Sequence, residues 1–315
     1  MKNRIGYSLA IFGAILLVDC GGLPPAPEKT ERVKGQVGYA VGGFGTVIKT
    51  TDSGKSWSIL NTGTKEYLNS IYFTDDNTGY AVGGVGRVIK TSSGGEKWDT
   101  LASGTEQWLY GVRFTDANTG FIVGDGGTIL KTYNGGATWR NFGTEPEYSI
   151  RAICFTSPST GYAVGDKGVI VKTMNAGESW QTLQKNPDLS LHAVYFTNAN
   201  TGYAAGSVLQ KTEDAGVTWK LLEKPTIEFL SGVTFIDQKI GLAVGTGGTI
   251  LRTTDSGLTW TKIEGITETH LRSVTFIDET TGYIAGDNGI LLKSIDAGLT
   301  WKPSPGDANR VVFFP

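Results

Sequence analysis

A glycine turn, an acidic turn and a tryptophan recur along this chain, and each could take part in chemistry. The first copy reads GYAVGGFGTVIKTTDSGKSW and spans residues 38–57. A Gly-Gly-x-Gly turn can present backbone amides to a phosphate. A repeated aspartate could act as a general base or contribute to a metal site. The secondary structure around these residues decides which of these chemistries is possible.

The spacing of these residues is nearly constant. The glycine that opens the phrase recurs at Gly38, Gly79, Gly120, Gly161, Gly202, Gly241 and Gly282. The closing tryptophan recurs at Trp57, Trp98, Trp139, Trp180, Trp219, Trp260 and Trp301. The step is 41 residues, except for one of 39 where the fifth copy has lost two residues of its glycine turn. Seven copies at a period near 40 are typical of a propeller or another repeat array.

Each repeat divides into four short strands. A Leu-x-x-Val-x-Phe run such as LNSIYF, ending at Phe73, precedes the Gly-Tyr-Ala-Val-Gly run. The glycine turn leads to a third β-rich run, and the acidic turn leads to a fourth that begins at the tryptophan. These runs favour strands, and helical periodicity is absent. The sequence therefore predicts an all-β, seven-bladed β-propeller with four antiparallel strands per blade.

The two chain ends complement each other. The first copy lacks a Leu-x-x-Val-x-Phe strand, whereas residues 309–314, NRVVFF, match that strand near the C-terminus. We expect this C-terminal strand to complete the N-terminal blade, which would close the ring and leave no free sheet edge at the seam.

This architecture argues against chemistry in the repeated turns. A phosphate-binding loop leads into a helix, whereas these glycine turns lead into strands. The acidic turns resemble the Asp box of bacterial neuraminidase repeats, and their side chains can cap turn amides. Seven equivalent positions cannot all form one active site, and one carboxylate per turn is too few for calcium. We predict no catalytic residue, cofactor or metal at these turns, which begin at Asp52, Ser93, Asn134, Asn175, Asp214, Asp255 and Asp296.

Composition excludes several classes of function. A net charge of −2 over 315 residues argues against nucleic-acid binding, which needs a basic surface. The only cysteines are Cys20 and Cys154, and the only histidines are His192 and His270. These are too few for a disulfide framework or a zinc cluster. Cys154 lies within a strand and is expected to be a buried thiol, and both histidines are expected to be structural or on the surface.

The N-terminus has the features of an export signal. Residues 1–20 combine a basic start, an apolar run of about a dozen residues and a terminal Cys20. The cysteine resembles the lipidated residue of bacterial lipoproteins, although Asp19 stands where that family has Gly, Ala or Ser. Lipid anchoring at Cys20 is expected, with plain secretion or a retained anchor as alternatives. Residues 21–35 are predicted to be a tether and residues 36–315 the propeller, exported to the periplasm or outer envelope.

Side chains that vary while the frame stays fixed are the candidates for function. The loops entering the innermost strands and the turns between second and third strands should gather on one face around the central channel. Aromatic and acidic residues there suit a protein segment or a sugar, with arginines deeper in. Alternatively, these aromatics fill the gaps between blades. The candidates are Tyr67, Trp108, Tyr148, Phe229, His270, Glu66, Glu147, Glu228, Asp125, Asp166, Asp287, Arg151 and Arg272, with Arg310 near the C-terminus.

From residue 35 to the end, phrases such as FTDANTGFIVGDGGTILKTYNGGATW resemble the photosystem II stability/assembly factor family. The resemblance implies a non-catalytic seven-bladed propeller, often a lipoprotein in cyanobacteria, that holds a new membrane subunit during complex assembly. It is specific for the propeller and not for the photosynthetic partner. Photosynthetic members are associated with an arginine-rich patch, whereas this chain has nine arginines and a more acidic predicted funnel.

These observations leave three alternative functions. The first is a monomeric envelope scaffold that binds a protein or peptide and touches the membrane only through its lipid. The second is glycan binding or hydrolysis, since sialidases and xyloglucanases use Asp-box propellers. A sialidase would need an arginine triad on six blades, and a two-carboxylate hydrolase one acid pair about 5–10 Å apart. No such set stands out here. The third is a structural surface module without a defined ligand.

Overall fold

The computed structural model describes residues 37–143 and 148–304 as seven antiparallel sheets. Blade 1 contains β1 (Gly38–Val41), β2 (Val47–Thr50) and β3 (Ser58–Leu60). Blade 2 contains β4 (Leu68–Phe73), β5 (Gly79–Gly83), β6 (Val88–Thr91) and β7 (Asp99–Leu101). Blade 3 contains β8 (Leu109–Phe114), β9 (Gly120–Gly124), β10 (Ile129–Thr132) and β11 (Arg140–Asn141). Blade 4 contains β12 (Ile150–Phe155), β13 (Gly161–Gly165), β14 (Ile170–Thr173) and β15 (Gln181–Gln184).

The remaining three blades repeat this order. Blade 5 contains β16 (Leu191–Phe196), β17 (Gly202–Gly206), β18 (Leu209–Thr212) and β19 (Lys220–Leu222). Blade 6 contains β20 (Leu230–Phe235), β21 (Gly241–Gly245), β22 (Ile250–Thr253) and β23 (Thr261–Lys262). Blade 7 contains β24 (Leu271–Phe276), β25 (Gly282–Gly286), β26 (Leu291–Ser294) and β27 (Lys302–Pro303). Short 3-10 turns lie at Gly43–Gly45, Thr246–Gly248 and Asp287–Gly289. None of the helical segments described is long and apolar enough to cross a bilayer.

The predicted seven-bladed propeller is confirmed. Each strand pairs with its chain neighbour, and the first strands of blades 2 to 7 contact one another in succession. These first strands are therefore the innermost layer and line the central channel. Blade 1 has three strands within the described residues, and the predicted closing strand at 309–314 lies outside them.

The cores lie between blades. Tyr39 and Val41 of blade 1 share one cluster with Leu68, Ile71 and Trp98 of blade 2. The tryptophan that ends each acidic turn thus packs against the preceding blade, as the repeat predicts. Because a blade packs on each side, the second strands are buried along nearly their whole length, which explains their apolar, small-residue sequence.

A hydrogen-bonded latch joins most neighbouring blades. The Tyr80 hydroxyl and the Lys90 ammonium both donate to the Gly135 carbonyl in the next blade's acidic turn, each at 2.8 Å. The same latch closes the ring, since Tyr283 and Lys293 of blade 7 donate to the Ser53 carbonyl of blade 1. Apolar contact between Ala40 and Tyr283 adds to this seam.

The acidic turns are structural, as predicted. Asp52 accepts hydrogen bonds from the Ser56 hydroxyl at 2.6 Å and the Ser56 amide at 2.9 Å. These bonds, with one from Thr50, lower the pKa of the Asp52 carboxyl to about 2. Ser53 and Gly54 take positive φ values of 59° and 74°, which turns the chain back sharply. Each carboxylate of this kind is thus occupied by its own turn.

Candidate binding face at the channel mouth

The loops entering the inner strands and the glycine turns meet at one end of the channel. The Gly84 amide donates to the Tyr67 carbonyl of its own blade, and the Gly86 amide donates to the Gln107 carbonyl of the next, both at 2.8 Å. In blade 3 the Asp125 amide bonds the Trp108 carbonyl and the Gly127 amide bonds the Tyr148 carbonyl. The predicted gathering of these segments on one face is confirmed, and we call it the channel-mouth face.

Every inner strand contains a β-bulge at its second residue. Leu68 pairs with Gly83 and Ser70 with Val82, so Asn69 is the extra residue between them. The same shift occurs in the inner strands of blades 3 to 7. Bulges re-aim a side chain and locally interrupt the ladder. All the bulge residues are half-buried, and they are Asn69, Tyr110, Arg151, His192, Ser231 and Arg272.

Three bulge residues bond an aspartate in the glycine turn of their own blade. Arg151 grips Asp166 through two bonds, Nε to Oδ1 at 3.1 Å and Nη2 to Oδ2 at 2.7 Å. Arg272 holds Asp287 in the same way at 2.8 and 2.7 Å. The Tyr110 hydroxyl donates to Asp125 Oδ2 at 3.0 Å. These three pairs contain five of the predicted site residues, which are Asp125, Arg151, Asp166, Arg272 and Asp287.

Electrostatics fix the charge states of this group. Burial acts to raise the pKa of the Asp166 carboxyl, but the bonds from Arg151 outweigh it and the pKa is lowered. Burial also disfavours the charge of Arg151, yet the hydrogen bond to Asp166 leaves the pKa of the guanidinium raised. The Arg151 Cζ lies 4.2 Å from the centroid of the Tyr110 ring, where the ring face attracts a cation. Burial raises the pKa of the Tyr110 hydroxyl to about 12. The pair is ionised and the phenol is neutral at pH 7.

Ser190 and His192 extend this network in blade 5. The Ser190 hydroxyl donates to Asp166 Oδ1 at 2.9 Å and lies 3.0 Å from His192 Nε2. Here the serine bridges the acid and the imidazole, whereas a catalytic triad places the imidazole between the serine and the acid. Burial, together with the charges of Arg151 and Arg272, lowers the pKa of His192. The order of this cluster is therefore not that of a catalytic triad.

Three aromatic rings, two exposed and one half-buried, form a row across blades 1 to 3. The rings of Phe44 and Tyr67 are 5.9 Å apart, and those of Tyr67 and Trp108 are also 5.9 Å apart. Phe44 is 49% exposed and Trp108 is 38% exposed. We call Phe44, Tyr67 and Trp108 the aromatic row. Such rings, apolar but accessible, are suited to holding a ligand.

Backbone strain accompanies the row. Phe44 and its counterpart in blade 2, Val85, adopt positive φ values of 54° and 51°. This conformation disfavours large side chains, and for a β-branched residue it is a rare exception. Val85 is 56% exposed, and the position of a Cβ on the adjacent Gly84 would lie 3.6 Å from Trp108. The same turn position has a positive φ in blades 4 and 7, at Lys167 and Asn288, so blades 1 and 2 differ from them in placing an exposed apolar side chain there.

The other predicted site residues are placed differently. Tyr148 is only 8% exposed and packs in the blade 3–4 core, because it precedes its inner strand by one residue more than Tyr67 does. It thus matches the alternative role of filling the gap between blades. Phe229 is 44% exposed and lies 6.0 Å from the His192 ring. His270 accepts a bond from the Gly247 amide at Nδ1, and Glu228 accepts one from Thr246. Glu147, Arg310 and Cys20 lie outside the described residues.

Sequence reasoning missed Phe44, Asn69, Tyr110, Ser190, His192 and Ser231. A signal for the bulge residues was present in the spacing of the inner strands. Leu68 and Ile71 are both fully buried although they are three residues apart. A regular strand would point them to opposite faces, so the spacing itself requires an extra residue between them.

Carboxylates at the channel mouth act as hydrogen-bond acceptors within the described residues. Every carboxyl group in them with a clearly shifted pKa is shifted downward, with Asp166 and Glu178 as examples. A general acid would need a raised pKa. Within the same ranges, no group of three His, Cys, Asp or Glu side chains could hold a metal ion.

Comparison with known proteins places this geometry among propellers. The structure of YCF48 bound to D1 peptide is 22% identical with a TM-score of 0.65, over 78% of this chain and 83% of that one. YCF48 from Cyanidioschyzon merolae is 20% identical with a TM-score of 0.67, over 80% and 89%. The GH74 xyloglucanase from Xanthomonas campestris is 13% identical with a TM-score of 0.68, over 93% and 53%. At these identities the likeness concerns the fold.

Family membership comes from the sequence profile. No curated protein sequence matches the chain significantly. The profile described as "Photosynthesis system II assembly factor YCF48" matches residues 90–221 and 210–308, together more than half of the chain. The assembly-factor resemblance seen in the repeats is thereby confirmed. This chain belongs to the photosynthesis system II assembly factor YCF48 family of β-propellers.

Proposed function

We propose that this protein is a non-catalytic scaffold that binds a segment of a partner protein at its channel-mouth face. The aromatic row carries this proposal, because it places the exposed rings of Phe44 and Trp108 on either side of the half-buried Tyr67 at the rim of the channel. A family relative has been solved with a peptide bound, which supports a peptide as the kind of ligand. The proposal does not extend to the photosystem partner of the family.

The polar centre of the face suits binding of a peptide. The Arg151–Asp166 and Arg272–Asp287 pairs are held rigidly by two hydrogen bonds each. Fixed donors and acceptors beside an apolar anchor are the usual composition of a recognition site. The acids are bound by arginines, so they are poor proton donors for glycoside hydrolysis.

Site-specific crosslinking tests this function. A photoreactive phenylalanine analogue at position 44 should crosslink one protein partner in intact cells, and Trp108→Ala should abolish the product. The same analogue at Tyr133, an exposed aromatic residue next to the acidic turn at the other end of blade 3, is the matched control. A glycan array on the purified protein runs in parallel. Trp108-dependent glycan binding without a protein crosslink would favour the glycan alternative, and failure of both assays would leave a structural module.

We also propose that the protein is exported and anchored by a lipid on Cys20. The support is the basic start, the apolar run and the cysteine of residues 1–20. Membrane fractionation checks it: Cys20→Ser should move the protein from the membrane pellet to the soluble fraction. An unchanged distribution would contradict lipid anchoring.

A further inference from the structure

Asp125 differs from the equivalent aspartates of blades 4 and 7. Asp166 and Asp287 are each neutralised by a two-bonded arginine. Within the described ranges, Asp125 makes no ion pair, and its carboxylate accepts a side-chain hydrogen bond from the neutral Tyr110 hydroxyl. Arg151 interacts electrostatically with Asp125 without forming an ion pair with it, so the negative charge of Asp125 is the least compensated of the three at the channel mouth.

Asp125 adjoins one end of the aromatic row through its backbone. The Asp125 amide donates to the Trp108 carbonyl at 2.9 Å, which places the two residues side by side. Glu66 and Glu106 adjoin the row at Tyr67 and Trp108, also without an ion pair in the part of the chain described. Lys65 and Arg87 are the cations of the same segments, and the Arg87 Nε is buried. Because Arg151 is paired with Asp166, the carboxylates of Glu66, Glu106 and Asp125 exceed these two cations by one charge, and the rim beside the row is apolar and net acidic.

We propose that the aromatic row and Asp125 recognise an extended peptide segment in which an apolar side chain is followed by a lysine or arginine. The proposal rests on the proposed function and specifies its ligand. An extended chain places side chains of one face about 6.6 Å apart, close to the 5.9 Å steps of the row. A cation at the Trp108 end would gain from the indole face and from the Asp125 carboxylate together. Neutral sugars would gain nothing from the charge.

Peptide selection tests the inference directly. The purified protein is used to select from a random library of dodecapeptides, and the best binders are synthesised with each Lys or Arg kept or replaced by Gln. We expect selected peptides to be rich in an apolar residue near Lys or Arg, and Trp108→Ala to abolish their binding. Asp125→Asn should weaken the basic peptide about tenfold, equivalent to about 1.4 kcal/mol. It should leave the Gln peptide unchanged, because the amide still accepts the Tyr110 bond.

Controls separate this inference from the function on which it rests. Glu96→Gln removes an exposed carboxylate near the acidic turn of blade 2, and should leave binding unchanged. Equal weakening of both peptides by Asp125→Asn, or selection of acidic peptides, would overturn the charge recognition while peptide binding stands. Selection of no Trp108-dependent peptide would also overturn it, and the crosslink at position 44 then reports separately on the proposed function.

Discussion

His192 illustrates how a single residue of the repeat acquires its own chemistry. It occupies the bulge of β16, where blade 2 has Asn69 and blade 4 has Arg151. Its imidazole lies 3.0 Å from Ser190 Oγ and is influenced by Arg151, Arg272 and Asp166. The bulge is the same in all these blades, so the differences at the bulge positions reside in side chains.

His192 should make stability depend on pH below neutrality. Burial and the two arginines lower its pKa in the folded protein, so the unfolded chain binds the proton more readily. Stability should therefore fall as pH is lowered through the ordinary histidine pKa of about 6.5. Urea unfolding at pH 7.5 and 5.5 measures this loss, which should be smaller in His192→Asn. His270→Asn is the control for removing a histidine. Equal losses in wild type and His192→Asn would refute the assignment.

Residue identity at the channel mouth was only partly predictable. Arg151 and Arg272 stand out because charged residues are rare on the innermost strands, and their aspartates stand out because they vary within the repeated glycine turn. The pairing of each arginine with its aspartate was not predictable, because the two meet only when the bulge turns the arginine toward the glycine turn. Phe44 was not predicted as a site residue because the turn that contains it has the sequence of an ordinary hairpin.

The glycine that ends each second strand of blades 2 to 7 fixes the position of the loop that enters the inner strand. A Cβ on Gly83 would lie 1.7 Å from the Tyr67 carbonyl oxygen, and the equivalent distance at Gly165 is 1.9 Å. These glycines are required by close approach of two backbones. Gly104 is required by its positive φ of 79°, and a Cβ there would meet nothing within 4 Å.

Two alanine substitutions distinguish these requirements. Gly83→Ala should cost about 3 kcal/mol, because the clash involves backbone that cannot rotate away. Gly104→Ala should cost about 1 kcal/mol, from backbone conformation alone. Urea denaturation of both variants measures the difference. Gly83→Ala should also reduce any binding that depends on Tyr67. Equal costs would mean that the loop moves aside freely and that the glycine does not position it.

Strand order and strand type were predictable because the repeat presents the same pattern seven times. The Gly-Tyr-Ala-Val-Gly run is buried on both sides, and the acidic turn bends back at a fixed place. The bulge at Asn69 was not foreseen, although Leu68 and Ile71 break the two-residue period. The search for a two-residue period along the strand does not detect a single extra residue. The pairing of Leu68 with Gly83 and of Ser70 with Val82 locates that residue.

At the scale of the whole molecule, the ring is held at its seam by the same contacts that join other blades. Tyr283 and Lys293 reach the Ser53 carbonyl, and the Ser304 hydroxyl donates to the Gly54 carbonyl at 2.7 Å. These contacts join blades 1 and 7 although their residues are more than 200 positions apart in the chain. Within the described residues, these hydrogen bonds lie at the acidic turn of blade 1.

The predicted closing strand at residues 309–314 can be tested by truncation after Pro305. This change keeps Ser304 and the seam contacts, but removes the segment that matches the inner strands. If that segment completes blade 1, β1 becomes an exposed sheet edge, and exposed edges promote pairing between chains. The truncated protein should then unfold at lower temperature and dimerise or aggregate, as measured by calorimetry and light scattering. A synthetic peptide of residues 306–315 should restore the monomer, because its backbone can refill the vacant edge. A truncated protein that stays monomeric with unchanged melting would show that blade 1 needs no fourth strand from the C-terminus.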